Sequence, residues 1–189
     1  SDELTVSWRL ASAPERTADE LWVIVSSLLA ERDVDADQIT GVILSSVVPT
    51  VTESVAKMVK QGFGQQVLHV DSNNTGLTIL YEHPNEVGAD RLVNSVAARA
   101  LYGEIGRPII VVDFGTATTF DVISTAGEYL GGIICPGVEI SADALFERAA
   151  RLPRVDIQRP PALIGRTTVG AIQSGLFYGY VGMIEGIIE

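Results

Sequence analysis

The chain has 189 residues, 47% of them hydrophobic and 20% charged, with a formal net charge of −11. That apolar content excludes intrinsic disorder, no apolar run reaches the roughly 18 residues of a membrane-spanning helix, and the acidic balance argues against nucleic-acid binding, which needs a basic face. A single cysteine, Cys135, excludes an internal disulfide framework, and with two histidines it also excludes ordinary zinc-finger spacing.

Leu21–Ala30 lies too far in, behind acidic residues, to be a signal peptide, so a soluble, cytoplasmic protein is expected. Acidity does not exclude anionic small molecules, because backbone N–H groups, helix N-termini and metal ions hold phosphates without entering the formal charge. The acidic excess is uneven: residues 1–60 hold ten acids against five bases. Arg148, Arg151, Arg154, Arg159 and Arg166 crowd one later segment, as a solvated face or an anion-facing rim.

In chain order, Thr5–Leu10 alternates polar and apolar residues and predicts a strand. Thr17-Ala-Asp-Glu20 is a capping box that opens a helix through Leu21, Ile24, Val25 and Leu28 to about Glu31. Thr40–Val48, rich in β-branched residues, predicts a buried strand. Thr50-Val-Thr-Glu53 matches a second capping box for a helix ending near Gly62, and Gln66–Val70 is a short strand. This alternation points to an α/β layer fold. Residues 71–88 carry loop chemistry, with Pro84 among turn formers; the glycosylation pattern Asn73-Asn-Thr75 has no secretory context. A helix from Asp90 to about Leu101 should place Leu92, Val93, Val96 and Ala97 on one side.

The second half changes style. Ile109–Asp113, Thr119–Ser124 and Glu128–Ile134 predict three strands joined by connections short enough for hairpins. An antiparallel meander following an α/β region predicts a second domain near residue 105, giving 1–104 and 105–189. Glu139–Arg151 is then helical, Leu152–Pro161 a proline-marked loop, and Thr167–Ile188 a long helix. That helix carries glycines at 170, 175, 179, 182 and 186. Each costs a helix interior up to about 1 kcal/mol relative to alanine, which implies close approach of another backbone, in this chain or in a second subunit.

Four constellations carry chemistry. Gly88-Ala89-Asp90-Arg91 lies at a loop-to-helix junction. The simplest reading is an Asp N-cap beside an exposed Arg; the functional one is a carboxylate that accepts the proton of an attacking hydroxyl, with a guanidinium beside it for an oxyanion or amide. Asp113-Phe-Gly115-Thr116-Ala-Thr118-Thr119 places a carboxylate, a glycine and hydroxyls in a tight hairpin, a way to hold nucleotide phosphates and a cation. The Asp-Phe-Gly string is not a protein-kinase signature, because the chain has neither that family's glycine-rich loop nor its His-Arg-Asp loop, and no P-loop motif occurs. Gly131-Gly-Ile-Ile-Cys-Pro-Gly137 and Ile164-Gly-Arg-Thr-Thr168 alone are turns and caps. Cys135 is expected to be a small buried residue.

Together and in order, these stretches resemble the type III pantothenate kinase family. The match runs through Trp8-Arg9, Arg16–Glu20, Tyr81, Pro84, Glu86–Arg91, Val112–Thr119, Gly131–Gly137, Leu152-Pro153 and Ile164–Thr168, and so covers the whole chain. The resemblance implies an α/β fold of two ribonuclease-H-like domains of the acetate/sugar kinase–Hsp70–actin superfamily, assembled as a homodimer. It implies ATP-dependent phosphorylation of pantothenate, the first step of coenzyme A biosynthesis. Asp90 would be the proton acceptor. Tyr81, Gly88, Ala89, Arg91 and Thr168 would line the pantothenate site. Gly115 and Thr116 would meet ATP, Asp113 would bind a monovalent cation, K+ or NH4+, and Mg2+ would accompany the nucleotide.

The family also opens with an Asp-x-Gly-Asn-Thr phosphate loop and continues past the final helix with a glycine-rich adenosine-binding segment, neither of which this sequence contains. Both domains are therefore expected to be incomplete here, as in a fragment of a longer enzyme. The alternative is a non-catalytic relative that binds pantothenate or a nucleotide as an accessory factor.

Overall fold

The computed structural model describes residues 4–11, 13–104, 106–149 and 151–189. The chain forms two compact units, Ser1–Gly76 with Asn85–Val93, and Leu77–Pro84 with Asn94–Glu189.

The first unit begins with extended backbone at Thr5–Leu10 rather than the predicted strand. Alternation makes a strand only where a neighbour supplies ladder hydrogen bonds, and none pairs with this segment among the described residues. Helix α1 spans Ala18–Ala30 behind the predicted box: Thr17 Oγ1 accepts from the Glu20 N–H, and the Thr17 N–H donates to Glu20 Oε2 at 2.8 Å. Strand β1 covers only Val42–Leu44 and pairs in parallel with β2, Val67–His69, across helix α2, Pro49–Phe63. This is a small βαβ unit, as the alternation predicted.

The second capping box is not formed. Pro49 at the first turn starts α2 earlier, behind Val48, so the Thr52 hydroxyl donates back to Val48 O and Glu53 pairs with Lys57 at 2.7 Å. Trp22 of α1 packs edge-on against Phe63 at 5.2 Å between centroids, and Leu29, Met58 and Val59 are buried in this unit.

The Thr17 backbone N–H, then the Thr17 hydroxyl, hold the exposed Glu20 carboxyl below its ordinary range. A folded-state pKa below the unfolded one gives stability that is complete above the unfolded pKa and lost as pH falls through the folded one. Wild type is therefore expected to be more stable than Glu20→Gln near neutrality, with the difference vanishing on acidification through the carboxylate range. Urea unfolding at stepped pH checks this, and a pH-independent difference contradicts it.

Helix α3, Ala89–Tyr102, starts in the first unit and continues in the second. Arg91, Leu92 and Ser95 are buried, whereas Val93 and Ala97 are exposed. The apolar stripe predicted for this helix is therefore rotated toward polar residues.

In the second unit, β3 (Ile109–Phe114), β4 (Ala117–Ile123) and β5 (Tyr129–Pro136) form the predicted antiparallel meander, in order β3-β4-β5. Central β4 is the most buried strand, with Phe120 and Ile123 in the core beside Tyr129. Cys135 lies half-buried in β5. Helix α4, Val138–Arg148, ends three residues before the predicted Arg151, with Ala149 extended. Helix α5, Thr168–Ile188, is capped by the Thr167 hydroxyl, which accepts from the Gly170 N–H at 3.1 Å. Tyr180 ties α5 to the meander: its hydroxyl donates to Pro136 O at 2.7 Å and also bonds Ser141 Oγ of α4 at 2.7 Å.

Two of the clustered arginines have local roles. Arg154 pairs with Asp143 at 3.4 Å and lies over the Phe146 ring, and Arg159 lies over the Phe177 ring.

Candidate active site

In the first unit, Gly88–Arg91 make the entry to α3. Asp90 is not the N-cap but the second helical residue; its Oδ1 accepts from the Arg91 N–H at 2.9 Å. The carboxylate leans back over Gly88, where a Cβ would come within 2.5 Å of Asp90 Oδ1. Gly88 is thus the residue that leaves room for this carboxylate. Asp90 is exposed, while Arg91 is buried at 8% exposure and has partners. This reverses the simple cap reading, in which the Arg would be exposed. Burying a guanidinium is costly unless it is compensated, so a buried Arg beside an exposed Asp marks a built arrangement rather than a solvated pair. Ala89 is buried.

In the second unit, Asp113 is the penultimate residue of β3, paired with Thr119. Gly115 and Thr116 form the whole connection to β4, and the Gly115 N–H donates to Ala117 O at 3.0 Å. Asp113, Gly115 and Thr116 are all exposed. Asn94 of α3 donates through Nδ2 to Asp113 Oδ2 at 3.0 Å, which orients the carboxylate.

The turn is closed from behind by Gly137. Its N–H donates to Thr116 O at 3.0 Å, and a Cβ there would run into the backbone oxygens of both Gly115 and Thr116. Next along β4, Thr118 is fully buried and its hydroxyl has no hydrogen-bond partner among the described residues.

Tyr81 is half-buried, its ring 6.4 Å from that of Tyr129. Thr168 is the exposed first residue of α5, behind an approach that Gly165 makes possible: a Cβ at 165 would collide with the backbone of Gly170 and Ala171. An open cleft of ≈ 820 Å³ borders this approach, lined by Pro160, Leu163, Ile164, Arg166 and Thr167 among others.

Gly88, Ala89, Asp90 and Arg91 therefore share one helical turn, and Asp113, Gly115 and Thr116 share one hairpin. Sequence reasoning missed Asn94, whose only signal was a polar residue between the apolar pair Val93 and Val96. It also took Gly137 for a turn former, when its role is to let two backbones touch.

Among the described residues no group of three or more His, Cys, Asp and Glu side chains is gathered for a metal ion, and no helix is long and apolar enough to cross a membrane. Asp113 is exposed, and a carboxylate oxygen is the kind of ligand that hard cations take.

The family model for type III pantothenate kinase matches residues 1–189. A type III pantothenate kinase of Moorella thermoacetica is 52% identical over 187 residues, covering 98% of this chain and 72% of the relative. Those of Myxococcus xanthus and Koribacter versatilis are each 49% identical, covering 95% and 98% of this chain and 70% and 67% of their own lengths. A solved structure from Campylobacter jejuni, named for the Baf family of transcriptional activators, is similar in fold at a TM-score of 0.52 and 20% identity, covering 86% of this chain and 68% of that one. The mixed α/β architecture, the ordered motifs and these relatives agree: the chain belongs to the type III pantothenate kinase family.

Proposed function

We propose that the protein transfers the γ-phosphoryl group of ATP to the primary hydroxyl of pantothenate, giving 4'-phosphopantothenate and ADP, at the entry to coenzyme A biosynthesis in the cytoplasm. The observation that carries this reading is the pairing of family membership with an exposed carboxylate, Asp90, held by its own helix turn beside the buried Arg91. Phosphoryl transfer depends mainly on positioning and charge neutralisation, with one base to orient the nucleophile. Asp90 takes the hydroxyl proton as the oxygen attacks phosphorus and the bond to the ADP oxygen breaks. Gly88, Ala89 and Arg91 are assigned to pantothenate, as are Tyr81 and Thr168. Thr116 and Gly115 receive the ATP phosphates, which carry Mg2+. Asp113 is assigned to K+ or NH4+, which supplies positive charge for the phosphate oxygens.

On the same reading, the chain comprises two ribonuclease-H-like domains, 1–104 and 105–189. The enzyme is a homodimer. Support comes from α5, where Gly175, Gly179, Gly182 and Gly186 recur at helical spacing and a Cβ on any of them would meet nothing within 4 Å. Among the described residues, packing does not explain those glycines. A monomer by light scattering at micromolar concentration contradicts the dimer.

The activity is tested by incubating the intact protein with ATP, Mg2+, K+ and pantothenate and following phosphopantothenate by mass. Turnover is expected. Calorimetric binding of pantothenate or ATP without transfer overturns the kinase reading in favour of an accessory relative.

A further inference from the structure

Tyr81 follows a segment, Thr78–Leu80, that joins the sheet at a single residue. The Tyr129 N–H donates to Thr78 O and the Leu80 N–H donates to Tyr129 O, each at 2.8 Å, around a parallel bridge of Ile79 with Tyr129. Tyr129 thereby closes both hydrogen bonds and sets where the chain leaves the sheet toward Tyr81.

The side chain of Tyr129 is anchored in turn. It is fully buried, and its hydroxyl donates to Oδ1 of the equally buried Asp121 at 2.7 Å. Beside it β5 carries a bulge: Ile123 pairs with Tyr129 and Val122 with Gly131, which leaves Leu130 as the extra residue. Bulges re-aim side chains and occur next to active sites. Gly131 there has φ 126°, a conformation that glycine adopts and L side chains rarely do. The Tyr81 ring lies over the bare backbone so created, with a Cβ at 131 placed 3.4 and 3.5 Å from its Cδ2 and Cε2.

We propose that Tyr129, held by Asp121, and Gly131 at the bulge form the seat of the Tyr81 ring and so set the affinity for pantothenate. They are positioning residues and touch no reacting atom. The proposal rests on the assignment of Tyr81 to the pantothenate site. Three independent features converge on one ring: a backbone register set by one residue, a buried carboxylate-to-phenol hydrogen bond behind it, and a glycine in a conformation that only the bulge requires.

The test uses Tyr129→Phe and Gly131→Ala in the intact protein. Gly131→Ala keeps both partners of the buried pair but strains the backbone at φ 126°, so a circular-dichroism melt establishes that each variant is folded before its kinetics are read. In both variants the KM for pantothenate is expected to rise several-fold while kcat and the KM for ATP stay as in wild type. With 3-fluorotyrosine at position 81 and no ligand, the fluorine resonance is expected to move in both. A resonance that stays in place overturns the seat. A moved resonance with unchanged pantothenate KM overturns its control of affinity. Parallel losses in kcat and both KM values show a merely structural role and overturn it as well. Tyr81→Ala checks the underlying assignment separately: an unchanged pantothenate KM there removes Tyr81 from the site, while the fluorine signal still decides whether the seat exists.

Discussion

Asp90→Asn is expected to lower kcat by about 10²–10⁴-fold, the usual contribution of a positioned general base, with little change in the KM for ATP. Two features make the variant informative. The Asn side-chain carbonyl can still accept from the Arg91 N–H, as Asp90 Oδ1 does at 2.9 Å, so the start of α3 is preserved. The crowding over Gly88 is also unchanged, because the two side chains have nearly the same shape. What is lost is the capacity to take a proton. Steady-state kinetics with circular dichroism as the folding control make the measurement, and wild-type turnover in a folded variant contradicts the assignment of Asp90 as base.

Gly137→Ala is the second large effect. Gly137 has ordinary extended torsions, φ −68° and ψ 154°, so alanine there meets no backbone strain. The cost is contact: the new methyl falls inside the distance of closest approach to the backbone oxygens of Gly115 and Thr116. A main-chain oxygen cannot swing aside as a side chain can, so the turn or the start of α4 must move. Overpacking of this kind costs about 1–3 kcal/mol, which in a unit as small as the one holding Gly137 lowers Tm by roughly 4–8 °C per kcal/mol. Because the displaced element is the Gly115–Thr116 turn, the KM for ATP should rise while the KM for pantothenate holds. Gly115→Ala is the contrast for folding: among the described residues a Cβ there meets only Ala117 O at 3.6 Å, an ordinary contact, so its melting should stay near wild type. An unchanged ATP KM in Gly137→Ala, with unchanged melting, contradicts the account of the turn.

Much of the fold was legible because local chemistry decided it. The Thr17–Glu20 box, the three strands of the meander and the Thr167 cap are each specified by residues within a few positions of one another. The misreadings share one cause. Thr50–Glu53 has the residues of a capping box, yet Pro49 begins the helix sooner. Thr5–Leu10 has strand alternation, yet no described strand pairs with it. In both, a pattern with the right residue types lost to a neighbour that the pattern does not contain.

The candidate site divides in the same way. The sequence by itself singled out the candidate residues, since Asp90, Arg91, Asp113, Gly115 and Thr116 lie in contiguous motifs whose composition is their signal. Only the tertiary structure decided which of them is exposed and what holds each in place. It buried Arg91 and exposed Asp90, set Asn94 on Asp113, pressed Gly137 against the Gly115–Thr116 turn and laid Tyr81 over Gly131. The last three join residues 19, 21 and 50 positions apart. Spacing within a motif is written along the chain, whereas contact between motifs arises only when packing brings distant backbone together.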